Sequence, residues 1–283
     1  MNFVKMHGLG NDFVLINAMS EPNCSRNDWE AVAQKICDRH YGVGADGLIL
    51  ILPALEPGND IRWRIINPDG SEPEMCGNGI RCFARYVYEQ GIVSTASMRV
   101  ETLAGIIVPE VQVQNGEIVG VCVDMGEPRL ERQQIPMAGP AGGPVVGEAV
   151  EVNGQIVHVT AVSMGNPHCL IYVDDINSAP LTELGPLMEK HPLFPQKTNV
   201  EFVQVCSPDY VEMRVWERGA GPTLACGTGA CATVVGSVLN GKTSRLATVN
   251  LAGGPLTIEW RESDNHVYMT GPAVEVFTGE WKE

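Results

Sequence analysis

Residues 76–79 read Cys-Gly-Asn-Gly and residues 226–229 read Cys-Gly-Thr-Gly, two copies of one phrase set 150 residues apart. The match runs outward without a gap. Arg64-Ile65-Ile66-Asn67, leading to the first copy, aligns on Arg214-Val215-Trp216-Glu217, leading to the second. Upstream, Gly10-Asn11-Asp12-Phe13-Val14-Leu15-Ile16 is similar to Gly165-Asn166-Pro167-His168-Cys169-Leu170-Ile171. Downstream, Leu103-Ala104-Gly105 recurs as Leu251-Ala252-Gly253, and Val123-Asp124-Met125-Gly126 recurs loosely as Met269-Thr270-Gly271. Segments that match in the same order predict a duplicated domain.

Periodicity fills in each half. Trp29, Val32, Ala33, Ile36 and Cys37 fall at helical spacing before a stop at Gly42. Ile80, Phe83, Ala84, Val87 and Tyr88 do the same before Gly91, and Cys231, Val234, Val235, Val238 and Leu239 before Asn240-Gly241. Short β-prone runs surround these helices at 13–17, 47–52, 61–66, 97–102, 105–113 and 117–123. Later runs lie at 155–162, 169–173, 199–206, 210–216, 254–260 and 266–270. Many strands with one strong helix per half predict an α+β fold of two pseudo-symmetric domains, each a curled, mostly antiparallel sheet around a central helix. The proline- and glycine-rich stretch from Glu127 to Val150, with Pro128, Pro136, Pro140 and Pro144, reads as the linker.

Composition narrows the function classes. The chain has 283 residues, 44% hydrophobic and 19% charged, enough for a core in each half. A net charge of −15 argues against nucleic acid and against an anionic membrane surface, since both call for a basic patch. The opening Met1-Asn2-Phe3-Val4-Lys5 lacks a signal-peptide layout, and no apolar run is long enough for a membrane span. Nine cysteines, an odd number spread through the chain, fit reduced thiols in a cytoplasmic compartment better than a disulfide framework.

The repeated phrase carries the chemistry. Thiolate is the reactive form of cysteine, and a helix amino terminus favours it. Cys76 and Cys226 each stand just ahead of a predicted helix, with Asn78 and Thr228 as expected N-caps. The amides of Gly77-Asn78-Gly79 and Gly227-Thr228-Gly229 are expected to be open to a carboxylate. If pseudo-symmetry brings the two motifs together, one thiolate removes an α-proton, the opposite thiol returns one, and configuration inverts. The helix ends would stabilise the charge that develops on the carboxylate. Cys37, Cys122, Cys169 and Cys206 read as small buried hydrophobes, and Cys82 and Cys231 as packing residues within their helices. The spacings Cys76 to Cys82 and Cys226 to Cys231 are not those of zinc ligands, so no metal is expected. No lysine occupies an obvious pyridoxal-phosphate setting, so no cofactor is expected.

Longer motifs now bear on the family. Met6-His7-Gly8-Leu9-Gly10-Asn11-Asp12-Phe13 and Met75-Cys76-Gly77-Asn78-Gly79-Ile80-Arg81-Cys82 resemble motifs of diaminopimelate epimerases. So do Gly165-Asn166-Pro167-His168 and Glu217-Arg218-Gly219-Ala220-Gly221 leading to Ala225-Cys226-Gly227-Thr228-Gly229. The resemblance covers essentially the whole chain. It implies a cofactor-independent enzyme that interconverts LL- and meso-2,6-diaminoheptanedioate in lysine synthesis, commonly homodimeric. It places the enzyme in the cytoplasm, or in the plastid stroma if the chain is a mature plant protein. It also implies one cysteine per domain in a cleft and a last strand that returns to the first domain. The expected domains are therefore 1–124 plus 272–283, and 125–271.

Carried over residue by residue, Cys76 and Cys226 look like the catalytic pair. Asn11, Asn67, Asn166, Asn199 and Arg218 look like substrate contacts, with Gly77, Asn78, Gly227 and Thr228 on the reacting carboxylate. His168 and Glu217 resemble the pair that tunes the cysteines, and Glu217 also lies among the binding residues. Arg218 offers a planar fork for a distal carboxylate. Some family members carry glutamine after the Gly-x-Asp turn; here Gly47 follows Asp46, which leaves that contact to nearby backbone. Two other readings compete. A proline or hydroxyproline racemase shares the two-thiol logic, but its ring substrate has no distal amino acid group for Arg218 and the asparagines. A thiol redox protein would need Cys76 and Cys226 as a redox pair with no acid–base role.

Overall fold

The computed structural model describes residues 1–20, 23–140 and 142–282. Ala141 of the expected linker and Glu283 of the expected returning tail lie outside the described residues. Contacts divide the chain into two compact units, Met1–Asp124 with Thr270–Glu283, and Met125–Met269.

In the first unit the strands are β1 (Asn2–Gly8), β2 (Asn11–Asn17), β3 (Gly47–Leu52), β4 (Ile61–Ile66), β5 (Val100–Thr102), β6 (Gly105–Ile107), β7 (Glu110–Gln114) and β8 (Glu117–Asp124). Helix α1 is Trp29–Ile36 and α2 is Gly77–Glu89. In the second unit the strands are β9 (Val145–Val152), β10 (Gln155–Ser163), β11 (Pro167–Tyr172), β12 (Asn199–Ser207), β13 (Tyr210–Glu217), β14 (Gly221–Thr223), β15 (Leu246–Leu251) and β16 (Gly254–Trp260). Its helices are α3 (Leu181–Glu189) and α4 (Gly227–Leu239). The unit boundary falls inside β17 (Val267–Gly271), and β18 (Val274–Glu280) returns to the first unit.

The two sheets have the same plan. The first runs β18-β1-β2-β3-β4-β5-β6, and the second contains the run β9-β10-β11-β12-β13-β15-β16, after which β17 follows β16. Parallel pairs fall at matching places, β2 with β3 and β4 with β5 in one, β11 with β12 and β13 with β15 in the other. The remaining pairs on these paths that join neighbours, such as β1 with β2 and β10 with β11, are antiparallel. Each sheet is therefore open, mixed and mostly antiparallel, with one long helix and one short helix, which is the expected α+β pseudo-symmetry.

Strand chemistry explains the layering. β3 reads Gly-Leu-Ile-Leu-Ile-Leu and is buried along almost its whole length, as befits a strand covered on both faces. Leu48 and Leu50 pack with Trp29, Val32, Ala33 and Ile36 of α1. The opposite face meets α2, where Gly79 lies against Ile49, Trp63 and Ile65. Phe83 of α2 sets its ring edge-on to Trp63 at 6.0 Å. In the second unit Cys169, Ile171, Val200 and Phe202 join Met188 of α3 in one cluster. The alternate residues of β11 and β12 are left for α4. Residues 229–237 of α4 are buried all round, a wider contact than the expected stripe, because its other faces are Gly, Ala, Ser and Thr.

Several local expectations change. The Glu127–Val150 stretch is not an unpacked linker: Ile135, Met137, Val145 and Val150 lie in the second unit's core, and β9 begins at Val145. α1 ends at Ile36, not at Gly42; Gly42 serves where the chain folds back, since a β-carbon there would fall 2.2 Å from the Lys35 carbonyl oxygen. Cys206 is exposed, not buried, because β12 slips register between Val205 and Ser207 and leaves it at the irregularity. α3 carries Gly185 and Pro186, poor helix formers that hid it from periodicity. Among the described residues no helix is long and apolar enough to cross a membrane.

Candidate active site

Each unit builds a cysteine site from the same parts. In the first, Cys76 has extended backbone (φ −140°, ψ 114°) and caps α2, which starts at Gly77. In the second, Cys226 (φ −121°, ψ 106°) caps α4, which starts at Gly227. The N-caps are thus the cysteines themselves, two residues before Asn78 and Thr228. Extended geometry at the cap turns each side chain out of the helix while its carbonyl closes the first turn: Ile80 N–H donates to Cys76 O and Ala230 N–H to Cys226 O.

The tip of the β1–β2 hairpin delivers Asn11 to Cys76. The tip is Leu9-Gly10, both at positive φ, 59° and 87°. Leu9 is buried in this strained conformation, an uncommon arrangement that accompanies functional turns. Asn11 Oδ1 lies 3.8 Å from Cys76 Sγ and accepts from Asn78 Nδ2 at 3.2 Å. The orientation of the Asn11 amide is set by Asp46, whose Oδ2 accepts from Asn11 Nδ2 at 2.7 Å. Asp46 is itself held by Arg39 at 2.7 Å, and Arg39 also grips Asp12. Burial opposes ionisation of Asp12, but hydrogen bonds from Arg39 and Lys5 hold its carboxyl down at about 2. Beneath the helix start, Arg81 is fully buried, and its guanidinium donates to Asn78 Oδ1, Gly77 O and Pro272 O. Asn67 is tied into its own turn, with Nδ2 on Ser71 Oγ at 2.9 Å.

The second site is more charged and drier. Cys226 is buried, and its sulfur lies 3.6 Å from Thr228 Oγ1. Burial, then the Glu217 and Glu201 carboxylates, push this thiol well above its ordinary range, against the Thr228 and Gly229 donors. Burial also raises the Glu217 carboxyl, against a hydrogen bond from Thr223.

Around this centre Asn166 Nδ2 donates to Thr228 Oγ1 at 3.3 Å, and Asn166 Oδ1 meets His168 Nε2 at 3.0 Å. His168 Nδ1 meets Glu201 Oε1 at 2.6 Å, and both side chains are inaccessible to solvent. Asn199 is committed to the scaffold, donating to Pro167 O and accepting from the Arg218 amide at 2.9 Å. Arg218 is exposed, with Nη1 on Gln196 O.

In the first unit Asn11, Cys76, Gly77 and Asn78 come together, and Asn67 bonds Ser71 within its turn. In the second, Asn166, His168, Glu217, Cys226, Gly227 and Thr228 form one cluster. Sequence reasoning missed Asp46, Arg81, Thr223 and Glu201. Glu201 carried a signal, as an acid between Val200 and Phe202 in an apolar strand. Among the described residues no group of three or more His, Cys, Asp and Glu side chains is arranged to hold a metal ion.

Known proteins match this chain along most of its length. The family model described as diaminopimelate epimerase matches residues 3–131 and 160–276. A relative from Heliobacterium modesticaldum named diaminopimelate epimerase is 70% identical over 281 residues, covering 99% of each chain. The chain belongs to the diaminopimelate epimerase family. Another member of the family, from Moorella thermoacetica, is 60% identical with the same coverage. Among solved structures, a phenazine biosynthesis protein of the PhzF family from Bacillus anthracis has a TM-score of 0.70 at 17% identity, covering 100% of this chain and 99% of that one. A probable proline racemase from Agrobacterium radiobacter has a TM-score of 0.67 at 15% identity, covering 99% and 92%. These two share the fold of the epimerase family.

Proposed function

We propose that this chain interconverts LL- and meso-2,6-diaminoheptanedioate by a two-base proton transfer, with Cys76 and Cys226 as the two acid–base groups and no cofactor. One thiolate takes the α-proton and the other thiol returns one to the opposite face. The roles exchange with the direction of reaction. The observation that carries this reading is that α2 and α4, equivalent helices, both begin on a cysteine in extended conformation followed by a Gly-x-Gly first turn. Proton transfer by positioned side chains contributes about 10²–10⁴-fold. The first-turn amides around Gly77-Asn78 and Gly227-Thr228 are suited to the carboxylate whose charge grows as the carbanion forms, which supports the remainder.

Asn11, Asn67, Asn166, Asn199, Glu217 and Arg218 are the proposed recognition set for the substrate's ammonium and carboxylate groups, with His168 and Glu217 tuning the thiols. The exposed Arg218 supports a role at the distal carboxylate. The racemase reading is weaker: the racemase match lies at 15% identity, against 70% and 60% for relatives named diaminopimelate epimerase. The working form on this reading is a cytoplasmic homodimer. The test is incubation with LL- or meso-diaminopimelate in deuterium oxide. Solvent deuterium is expected at the α-carbon, and its absence from both isomers sinks the epimerase reading. Cys76→Ala and Cys226→Ala should each abolish turnover while the circular dichroism spectrum is kept. Near-normal turnover in either rules out the two-base mechanism.

A further inference from the structure

The duplication supplies an internal comparison at the heart of the second site. His168 and Phe13 hold equivalent places, each two residues beyond the tip asparagine, Asn166 or Asn11. His168 is in register with Asn199, and Phe13 with Gly47. Two residues further, Glu201 stands where Ile49 stands. The long helices agree: a β-carbon on Gly79 would meet Ile49 Cδ1 at 3.2 Å, and one on Gly229 would meet Glu201 Oε1 at 2.8 Å. One framework position thus holds the apolar Phe13 and Ile49 in the first unit and the fully buried His168 and Glu201 in the second. The fold does not need charge there, since its own twin packs the position with hydrocarbon. Buried ion pairs are commonly no more stabilising than well-packed apolar replacements. Glu201 is also incompletely satisfied: its Oε2 is buried with no hydrogen-bond partner, so His168 is the group that holds it.

Hydrogen placement gives the pair a direction. Nδ1 of His168 faces a carboxylate oxygen at 2.6 Å, so a proton lies between them. Nε2 faces Asn166 Oδ1, because the amide nitrogen of Asn166 is bonded to Thr228 Oγ1. With Asn166 Oδ1 on that side at 3.0 Å, this hydrogen bond forms when Nε2 carries the proton. Thr228 Oγ1 accepts from Asn166, which leaves its own hydroxyl hydrogen for Cys226 Sγ at 3.6 Å.

We propose that Glu201 is a positioning residue for the acid–base step at Cys226, holding His168 with protons on both ring nitrogens so that every donor from His168 through Asn166 and Thr228 points toward the sulfur. Through this chain a carboxylate that never touches substrate keeps a hydrogen bond aimed at the thiolate whenever Cys226 has given up its proton. Losing Glu201 leaves His168 with a proton on Nδ1 alone. The Asn166 amide then turns over to donate to Nε2, and the Thr228 hydroxyl turns away from sulfur. The inference rests on the role given to Cys226 above.

The test compares the full chain with Glu201→Gln by nitrogen-15 NMR of histidine-labelled protein without substrate, the His168 signals being assigned by their loss in His168→Gln. The wild type should show protons on both His168 nitrogens, and Glu201→Gln should lose the one on Nε2. In epimerisation assays Glu201→Gln should lower kcat by about 10–100-fold, the size of effect found for outer hydrogen-bond partners of metal-bound histidines, with KM little changed. The double variant Glu201→Ile with His168→Phe rebuilds the first unit's apolar pair and should fold with kcat at least as low. An unprotonated Nε2 in the wild type, an unchanged His168 spectrum in Glu201→Gln, or wild-type kcat in either folded variant overturns the proposal. A wild type that takes up no solvent deuterium overturns the epimerase reading instead, and the His168 spectrum, recorded without substrate, still judges the hydrogen-bond chain.

Discussion

The carboxylate of Glu201 lies where a side chain on Gly229 would have to go: a β-carbon there falls 2.8 Å from Glu201 Oε1 and 3.2 Å from Cys226 Sγ. The first turn of α4 is therefore shaped to bring a bare backbone against two functional side chains at once. Gly79, its equivalent in α2, meets only the outer atoms of Ile49, Trp63 and Ile65, at 3.2–3.4 Å.

Gly229→Ala should consequently cost far more than Gly79→Ala. Overpacking a tight interior costs about 1–3 kcal/mol, and at Gly229 the strain falls on a carboxylate and the proposed catalytic sulfur. The expected outcome is a clear drop in urea midpoint and loss of turnover for Gly229→Ala, with a smaller change for Gly79→Ala, where the outer atoms can give way. Equal losses in the two variants would show that the close approach to Glu201 has no special cost.

Glu217→Gln should make Cys226 easier to ionise. After burial, the Glu217 carboxylate is the largest influence pushing this thiol up. Removing its charge lowers the thiol pKa, so the pH profile for alkylation of Cys226 shifts to lower pH. Measured in a Cys76→Ser background by mass spectrometry, a shift to higher pH would mean that Glu217 acts on the thiol mainly by accepting its proton.

The duplication was the legible part of the fold, because a gapless offset of 150 residues runs from β4 through α2 and from β13 through α4. Strands covered on both faces, such as β3, announce themselves as apolar runs. β18 escaped residue patterning because almost all its side chains are exposed and no buried stripe marks it. In the site, glycines and cysteines at helix starts were readable from local spacing. Asp46 was not, because it acts on Asn11, more than thirty residues away, at 2.7 Å; Glu201 stood out as an acid in an apolar strand, but its partner His168, at 2.6 Å, is as distant in sequence. Asn67 was legible by its motif, while the bond its amide makes to Ser71 was not.

Arg81→Met should loosen the returning tail of the first unit. The guanidinium is fully buried and donates to Pro272 O, with Gly77 O and Asn78 Oδ1 as further acceptors. Hydrogen bonds from a charged donor are worth about 1.5–3 kcal/mol, and orphaned buried acceptors add to the loss. The variant should show faster amide exchange in β18 and in β1 beside it. Unchanged protection of both strands would mean that Arg85, which donates to Ala273 O at 2.5 Å, holds the tail by itself.

Alkali should destabilise the chain through its buried thiols. Burial pushes Cys37 and Cys82 from an ordinary 9.0 up to about 12. Cys169 and Cys226 move the same way. Between 9.0 and about 12 the unfolded chain releases these protons while the folded chain keeps them. The unfolded state then binds fewer protons, so unfolding free energy falls as pH rises. The contribution of each thiol is complete below the unfolded value and lost progressively above it, at up to about 1.4 kcal/mol per pH unit. Tyr172, also raised to about 12 by burial, adds to the same trend. Cys82→Ala separates the thiol from the tyrosine: urea midpoints recorded across this pH window should fall less steeply in the variant. Parallel slopes in the two proteins would assign the alkaline loss to groups other than the α2 thiol.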